Sequence, residues 1–288
     1  MHMIVTGAAG FIGRAVVGAA LQQGHAVTAV VRDAAKAEKV LPRHAGLRLQ
    51  VVRDLSDAAR QMSLSGDDAL IHLAWEEVGK YTDPSNLLAN LEPQFLFLQS
   101  MFTAGIRNMT VAGTCLEYGL QEGAAAEEGQ ALPVTFYGLA KKTLHDMLVL
   151  AGPDDAALKW LRYFYVYGEG QRPQAIIPQL RAAMARGDKT FDMSPGDQSR
   201  DFIHVEAAAW NTALAAAQTD VTGAINIGSG RAIQVSVLVE KILSVENYQM
   251  SLHKGVYGYP AYEPFSFWAD IGKMAKIKGV RVDEEIRV

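Results

Sequence analysis

Tyr137 and Lys141 stand four residues apart in Phe136–Leu150, a stretch whose apolar spacing predicts a helix, so the two side chains share one face. A phenol next to an ammonium is suited to giving a proton to a carbonyl oxygen while hydride arrives at its carbon. The phenol's ordinary pKa is about 10, and lowering it by about three units needs roughly 4 kcal/mol of differential stabilisation of the phenolate. A lysine one turn away, helped by a cationic nicotinamide, acts on that scale. Tyr-x-x-x-Lys also occurs as a surface pair, so its surroundings decide. Thr114 closes an apolar strand in Val111-Ala112-Gly113-Thr114-Cys115. Its hydroxyl could bond the same carbonyl oxygen, or satisfy the backbone of a turn.

A hydride carrier is expected from Gly7-Ala8-Ala9-Gly10-Phe11-Ile12-Gly13, set between a strand and an amphipathic helix. Gly7 allows the tight turn, Gly10 lets backbone approach a pyrophosphate at the helix N-terminus, and Gly13 allows close packing of helix on strand. In that context the glycines read as a dinucleotide cradle. The second strand ends Val31-Arg32-Asp33. Val31 takes the position of the acid that usually meets the ribose 2′-hydroxyl of NAD, and Arg32 suits a 2′-phosphate. NADP(H) is therefore expected ahead of NAD(H), although Asp33 could turn inward and Arg32 could be merely solvated. Asp54, followed by Leu55, ends the third strand where an acid could accept from the adenine amino group. Leu73 and the small Ala74 end the fourth, leaving room for the cofactor. His72 reads as a satisfied core histidine. The histidines show no metal-ligand spacing, and no metal site is expected.

The elements that must position these residues read as strand–helix alternation. Strands are expected at Met3–Thr6, Ala26–Val31, Leu47–Val52, Ala69–Leu73, Asn108–Ala112 and Leu158–Tyr163, with helices at Ile12–Gln23, Asn86–Ala104 and Phe136–Leu150. The strands are mostly apolar throughout, as parallel strands covered on both faces are. The expected fold is α/β: a Rossmann-type doubly wound parallel sheet with a smaller C-terminal substrate-binding lobe. Residues 1–165 would form the dinucleotide-binding domain, with pieces from about 200–228 returning to it, and 166–288 mainly the lobe. Two more pieces are expected at Ala224–Ile227 and Val235–Leu243.

Across 288 residues, 49% are hydrophobic and the net charge is −4, so no basic field for nucleic acid or an anionic membrane is expected. With a single cysteine, Cys115, and no apolar run approaching the roughly 20 residues of a bilayer span, a cytoplasmic protein is expected.

These motifs, with Tyr118-Gly119, Arg162-Tyr163-Phe164, Val166-Tyr167-Gly168, Arg200-Asp201-Phe202-Ile203-His204-Val205 and Asn226-Ile227-Gly228-Ser229-Gly230, resemble the extended short-chain dehydrogenases/reductases. The nearer resemblance is to the NAD-dependent epimerase/dehydratase family acting on nucleotide sugars, and it covers nearly the whole chain. It implies that Tyr137 is the general acid/base, that Lys141 lowers its pKa and holds the cofactor ribose, and that Thr114 assists. It also implies that Asn90 supports the site, that Phe164 lies at the cofactor, and that Arg200 meets the substrate diphosphate, unless a salt bridge claims it. Tyr165 stands where many relatives carry asparagine near the diphosphate.

Departures from the family narrow the reaction. The Asp-Glu pair of 4,6-dehydratases is replaced by Cys115-Leu116, and Cys115 is one residue too early for the epimerising cysteine of GDP-fucose-synthase-like enzymes. Hydride transfer at one carbon remains. The first expectation is NADPH-dependent reduction of a nucleotide-linked 4-keto-6-deoxyhexose. The alternatives are an NAD-dependent nucleotide-sugar 4-epimerase and a non-catalytic NADP-sensing protein. Trp75, Lys80, Tyr81, Tyr259 and Trp268 are candidates for shaping the pocket. Relatives pair the helices equivalent to Asn86–Ala104 and Phe136–Leu150, so a homodimer is expected.

Overall fold

Met3, Ile4 and Val5 form a run with no polar residue, and all three are buried because layers of helix cover both faces of the strand they build. A computed structural model describes residues 1–62, 64–282 and 286. The first half runs β1 (His2–Thr6), α1 (Phe11–Gln22), β2 (Ala26–Val31), α2 (Ala34–Val40), β3 (Leu47–Val51), α3 (Leu55–Gln61), β4 (Ala69–His72), α4 (Glu92–Thr103) and β5 (Asn108–Thr114). Next come β6 (Gly123–Ala125), α5 (Phe136–Ala151), β7 (Ala157–Tyr163), β8 (Tyr165–Tyr167), α6 (Ile176–Arg186) and β9 (Thr190–Met193). The chain continues through β10 (Ser199–Arg200), β11 (Phe202–His204), α7 (Val205–Ala216), β12 (Gly223–Ile227) and β13 (Ile233–Gln234). Last are α8 (Val235–Val245), β14 (Ser251–Lys254) and β15 (Ser266–Ala269).

Seven strands form the central sheet in the order β12-β7-β5-β4-β1-β2-β3, every neighbouring pair parallel. The winding direction reverses between β1 and β4, and a crevice opens beyond strand ends at such a switch point. One face is filled from α1 and α7, the other by Phe97, Leu98, Met101, Leu144, Leu148 and Trp160. A separate core of Tyr167, Ile177, Leu180, Phe191, Leu238 and Ile242 holds the lobe.

Among the departures from the sequence expectation, two bear on how the sheet is covered. Asn86–Leu91 is a π-helical stretch that precedes α4, where one continuous helix was expected. Pro93, near the start of α4, has no amide hydrogen to give the carbonyl four residues back, so the wider turn is accommodated there. The second is α7, which the spacing did not delimit. It buries Ala207, Ala208, Ala209, Ala213, Ala215 and Ala216 around its circumference, so no polar face marks its period. These small side chains let it pack closely on α1.

Candidate active site

The glycine loop is bare where backbone must come close. Gly7 has φ +66, and a Cβ there would lie 2.8 Å from Ala74 N and Leu73 C; at Gly13 a Cβ would lie 2.1 Å from Gly7 O. Gly10 precedes α1 without a side-chain cap, leaving the first-turn amides of Phe11, Ile12 and Gly13 to an outside acceptor. This cradle fits a dinucleotide pyrophosphate. Behind it, Thr6 Oγ1 bonds His72 Nδ1 at 2.8 Å while His72 Nε2 meets Gln94 Oε1 at 2.5 Å. Gln94 Oε1 can only accept, so Nε2 carries a proton, and it is burial that keeps the imidazole neutral. Burial pushes its pKa down to about 3, and it is the satisfied core histidine expected from the sequence.

At the ends of β2 and β3 the acids and the arginine have partners within the chain. The Asp33 carboxylate caps α2 by accepting from Lys36 N at 3.0 Å, and Asp54 caps α3 by accepting from Asp57 N at 2.8 Å. Helix starts therefore engage both carboxylates, and Leu55 is the first residue of α3, half-buried against the core. Arg32, expected to meet a phosphate, pairs with Glu76, both side chains being exposed.

The catalytic candidates converge at the ends of β4 and β5. Thr114 Oγ1 accepts from Leu116 N at 3.3 Å and caps a short turn, which leaves its O–H proton free to donate. Glu117 completes that cap by accepting from Thr114 N at 2.8 Å, and its carboxylate also takes bonds from Trp160 Nε1 and, at 2.8 Å, Arg162 Nε. Tyr137 and Lys141 are both buried on α5. Burial pushes the Tyr137 phenol well above its usual range, and pulls Lys141 down to about 7. Lys141 Nζ donates to Ala112 O at 2.9 Å, lies 3.8 Å from the centre of the Trp75 ring and is 5.9 Å from that of Tyr137. The expected lysine–tyrosine pair thus shares its helix face, but the ammonium faces an indole. Asn90 clasps the Glu76 backbone through its amide, which accepts from Glu76 N at 3.1 Å and donates to Glu76 O at 3.4 Å.

On the lobe side Arg200 takes the salt-bridge alternative. Its guanidinium donates to Ser199 O, Phe265 O and Glu263 Oε2, at 2.9, 3.1 and 2.8 Å. Asp201 instead accepts from Ser229 N, Ser229 Oγ, Gly230 N and Ala269 N. Tyr165 has a buried hydroxyl with no hydrogen-bond partner among the described residues, and its ring lies under the Arg200 guanidinium at 5.4 Å. Phe164 is buried against Tyr118 and Phe267. Burial pushes the Cys115 thiol far up, so it supplies no thiolate. Tyr81 accepts from Tyr137 N at 3.0 Å through its carbonyl, and its ring lies 5.4 Å from that of Tyr137. Arg172 covers Tyr81 at 5.2 Å, passing Gly79, where a Cβ would clash with it. Lys80 points away to Glu77, Tyr259 packs on Phe265 and Trp268 belongs to β15. Sequence reasoning missed Glu263, Arg172 and Glu117. The last was marked by Thr114-x-x-Glu117, a capping-box spacing; the other two come from loops without a pattern.

Known proteins share this fold. A family model described as NAD dependent epimerase/dehydratase family matches residues 3–228. The chain is 27% identical over 270 residues to dTDP-6-deoxy-L-talose 4-dehydrogenase (NAD(+)) of Aggregatibacter actinomycetemcomitans, spanning 93% of this chain and 99% of that one. It is 30% identical over 277 residues to a probable UDP-arabinose 4-epimerase of Oryza sativa subsp. japonica, over 83% and 68% of the two chains. Among solved structures, a UDP-N-acetylglucosamine 4-epimerase of Methanobrevibacter ruminantium M1, in complex with UDP-N-acetylmuramic acid, superposes with a TM-score of 0.85 at 25% identity, covering 99% of this chain and 93% of its own.

Proposed function

Because the chain belongs to the NAD dependent epimerase/dehydratase family, we propose that it is an NAD-dependent nucleotide-sugar 4-epimerase, oxidising and re-reducing one sugar carbon. The observation that supports this reading is that Tyr137 is buried on α5 together with Lys141, while Cys115-Leu116 follows Thr114 where other chemistries need a further acid–base pair and the buried Cys115 stays a thiol. Inverting C4 needs a proton to leave and rejoin the same oxygen, so one phenol suffices. With its pyrophosphate held by the Gly7–Gly13 cradle, a dinucleotide would supply the site with a nicotinamide as hydride acceptor and donor. Tyr137 takes the proton from O4 and gives it back, Thr114 donates a hydrogen bond to O4 in the keto state, and Lys141 favours the phenolate by its charge. Arg200 would grip the diphosphate, releasing Glu263 to do so.

A second reading, one-way 4-dehydrogenation with NAD, is favoured by the full-length similarity to the talose dehydrogenase. The NADPH-dependent 4-keto reduction expected from the sequence is the weaker reading, because Arg32 is paired with Glu76 and NAD stands in the names of both the family and that relative. Incubating the purified protein with UDP- and dTDP-hexoses separates them. Exchange of C4 epimers without added cofactor supports the epimerase. Stoichiometric formation of NADH overturns it in favour of the dehydrogenase, and absence of both overturns the reaction class.

Leu88, Leu96, Val149 and Leu150 are exposed apolar residues on the π-helical stretch, α4 and α5, with Leu150 87% exposed. We propose that these helices pair in a homodimer, which light scattering would read as about twice the chain mass.

A further inference from the structure

Among the described residues no carboxylate bonds the buried Lys141. Its ammonium has one hydrogen bond, to Ala112 O, and lies flat on the face of Trp75 at 3.8 Å. The indole is itself fixed. Its Nε1 donates to Asn86 Oδ1 at 3.0 Å, and Asn86 in turn donates to the carbonyls of Lys80 and Asp83. The same ring meets Tyr137 edge-on, with centroids 5.9 Å apart. Trp75 therefore touches both members of the catalytic pair, from a loop that the two buried asparagines of the π-helical stretch hold in place.

We infer that Trp75 is a positioning residue: its indole face stands in for a carboxylate, keeping the buried Lys141 ammonium charged and at the depth from which it acts on Tyr137. A carboxylate would satisfy the ammonium too well, because a bonded pair holds its proton far above neutral pH, while burial with no counter-charge would strip the proton. The negative face of an aromatic ring lies between these limits. The other titratable groups facing Lys141 do not take its place. Glu117, from the turn after β5, bonds Arg162 and Trp160; His72, from β4, is neutral; Tyr137, on the same helix, is a buried phenol. The proposal rests on Lys141 serving Tyr137 as described above, and it is tested in two arms so that either can fail alone.

The first arm uses the protein without cofactor or substrate. Tryptophan emission, summed over the four indoles, should carry a step with a midpoint near 7, where Lys141 loses its proton. The step should vanish in both Trp75→Phe, which removes the indole, and Lys141→Met, which removes the charge; a step that survives either overturns the inference. The second arm is the pH profile of kcat/KM. Trp75→Leu should move the limb assigned to Lys141 down by about one unit, and Trp75→Phe, which keeps an aromatic face, by less. Coincident wild-type and Trp75→Leu profiles overturn the inference. If Trp75→Leu does not fold, Trp75→Phe against wild type still decides, since a structural role alone lowers the melting temperature without moving the midpoint. If no nucleotide sugar turns over, the function fails while the emission arm still judges Trp75.

Discussion

Two buried cations flank the end of β5 and meet opposite fates. Arg162, on β7, is closed in by the Glu117 carboxylate at 2.8 Å and by Glu127 O at 3.1 Å. Lys141, on α5, has a backbone carbonyl and an indole face. A guanidinium never gives up its proton in such a setting, and its fork matches a carboxylate. It ties β5, β7 and the Thr114 turn together. An amine in a dry site without a counter-charge is instead left near its titration point. The paired cation builds the scaffold and the unpaired one remains available for chemistry. Lys159 tests how far this rule extends. It too is buried, bonded to Asn108 Oδ1 and Gln218 O, with its pKa pulled down to about 7 by burial. Yet it sits at the start of β7, the opposite end of the strand from Tyr137. A buried amine without a counter-charge therefore does not by itself mark a site; Lys141 differs in sharing its helix face with the Tyr137 phenol.

The largest effects should fall on the unpaired side. Tyr137→Phe should lower kcat by about 10²–10⁴-fold with little change in stability, while Lys159→Met leaves kcat near wild type. Loss of kcat in Lys159→Met comparable to that in Tyr137→Phe would break the comparison. On the paired side, Glu117→Ala strands Arg162 uncompensated and should cost about 3–5 kcal/mol in denaturant unfolding. A loss under about 1 kcal/mol would mean that the pair holds little together.

The comparison also explains how much could be read from the sequence. The sheet was legible because β1, β2, β4, β5 and β7 are apolar along most of their length, a pattern set by burial on both faces, and their observed bounds lie within two residues of those expected. The cradle and the Tyr137–Lys141 face were legible because fixed local spacing makes them. What could not be read is contact between distant segments. Arg200 looks in sequence like a free phosphate ligand next to Asp201, and its partner is Glu263, 63 residues on. Arg32 finds Glu76 in the same way, and Trp75 reads as a pocket residue until Asn86 is seen to turn it toward Lys141. Charge and polarity in a sequence say that a group needs a partner; the fold decides which one it gets.

A smaller effect is expected from His72, the neutral member of the buried network behind the cradle. Its pKa is about 3 in the folded chain against 6.5 when unfolded, so between those values the unfolded state holds the extra proton. Its contribution to stability is complete above pH 6.5 and is lost as the pH falls toward 3. His72→Gln should flatten the acid limb of the stability curve by up to about 1.4 kcal/mol per pH unit. An unchanged slope would show that His72 can charge in the folded protein despite its burial.

The smallest effect belongs to the exposed pair at the end of β2, and it bears on the choice of cofactor. Arg32 and Glu76 are both about two-thirds exposed, and such a pair contributes at most about 1 kcal/mol. Glu76 need hold Arg32 only weakly to spoil NADP binding, because its own charge would also repel a 2′-phosphate. Glu76→Gln should therefore tighten NADP binding to the cofactor-free protein about three- to tenfold in Kd and leave NAD binding nearly unchanged. Adding Arg32→Ala should cancel the gain, since the guanidinium is then no longer there to take the phosphate. The advantage should also shrink at high salt, as an exposed charge contact does. If Glu76→Gln leaves the ratio of the two cofactors unmoved, the choice is made elsewhere in the crevice, and Arg32 is then no more than a solvated cation at the edge of the sheet.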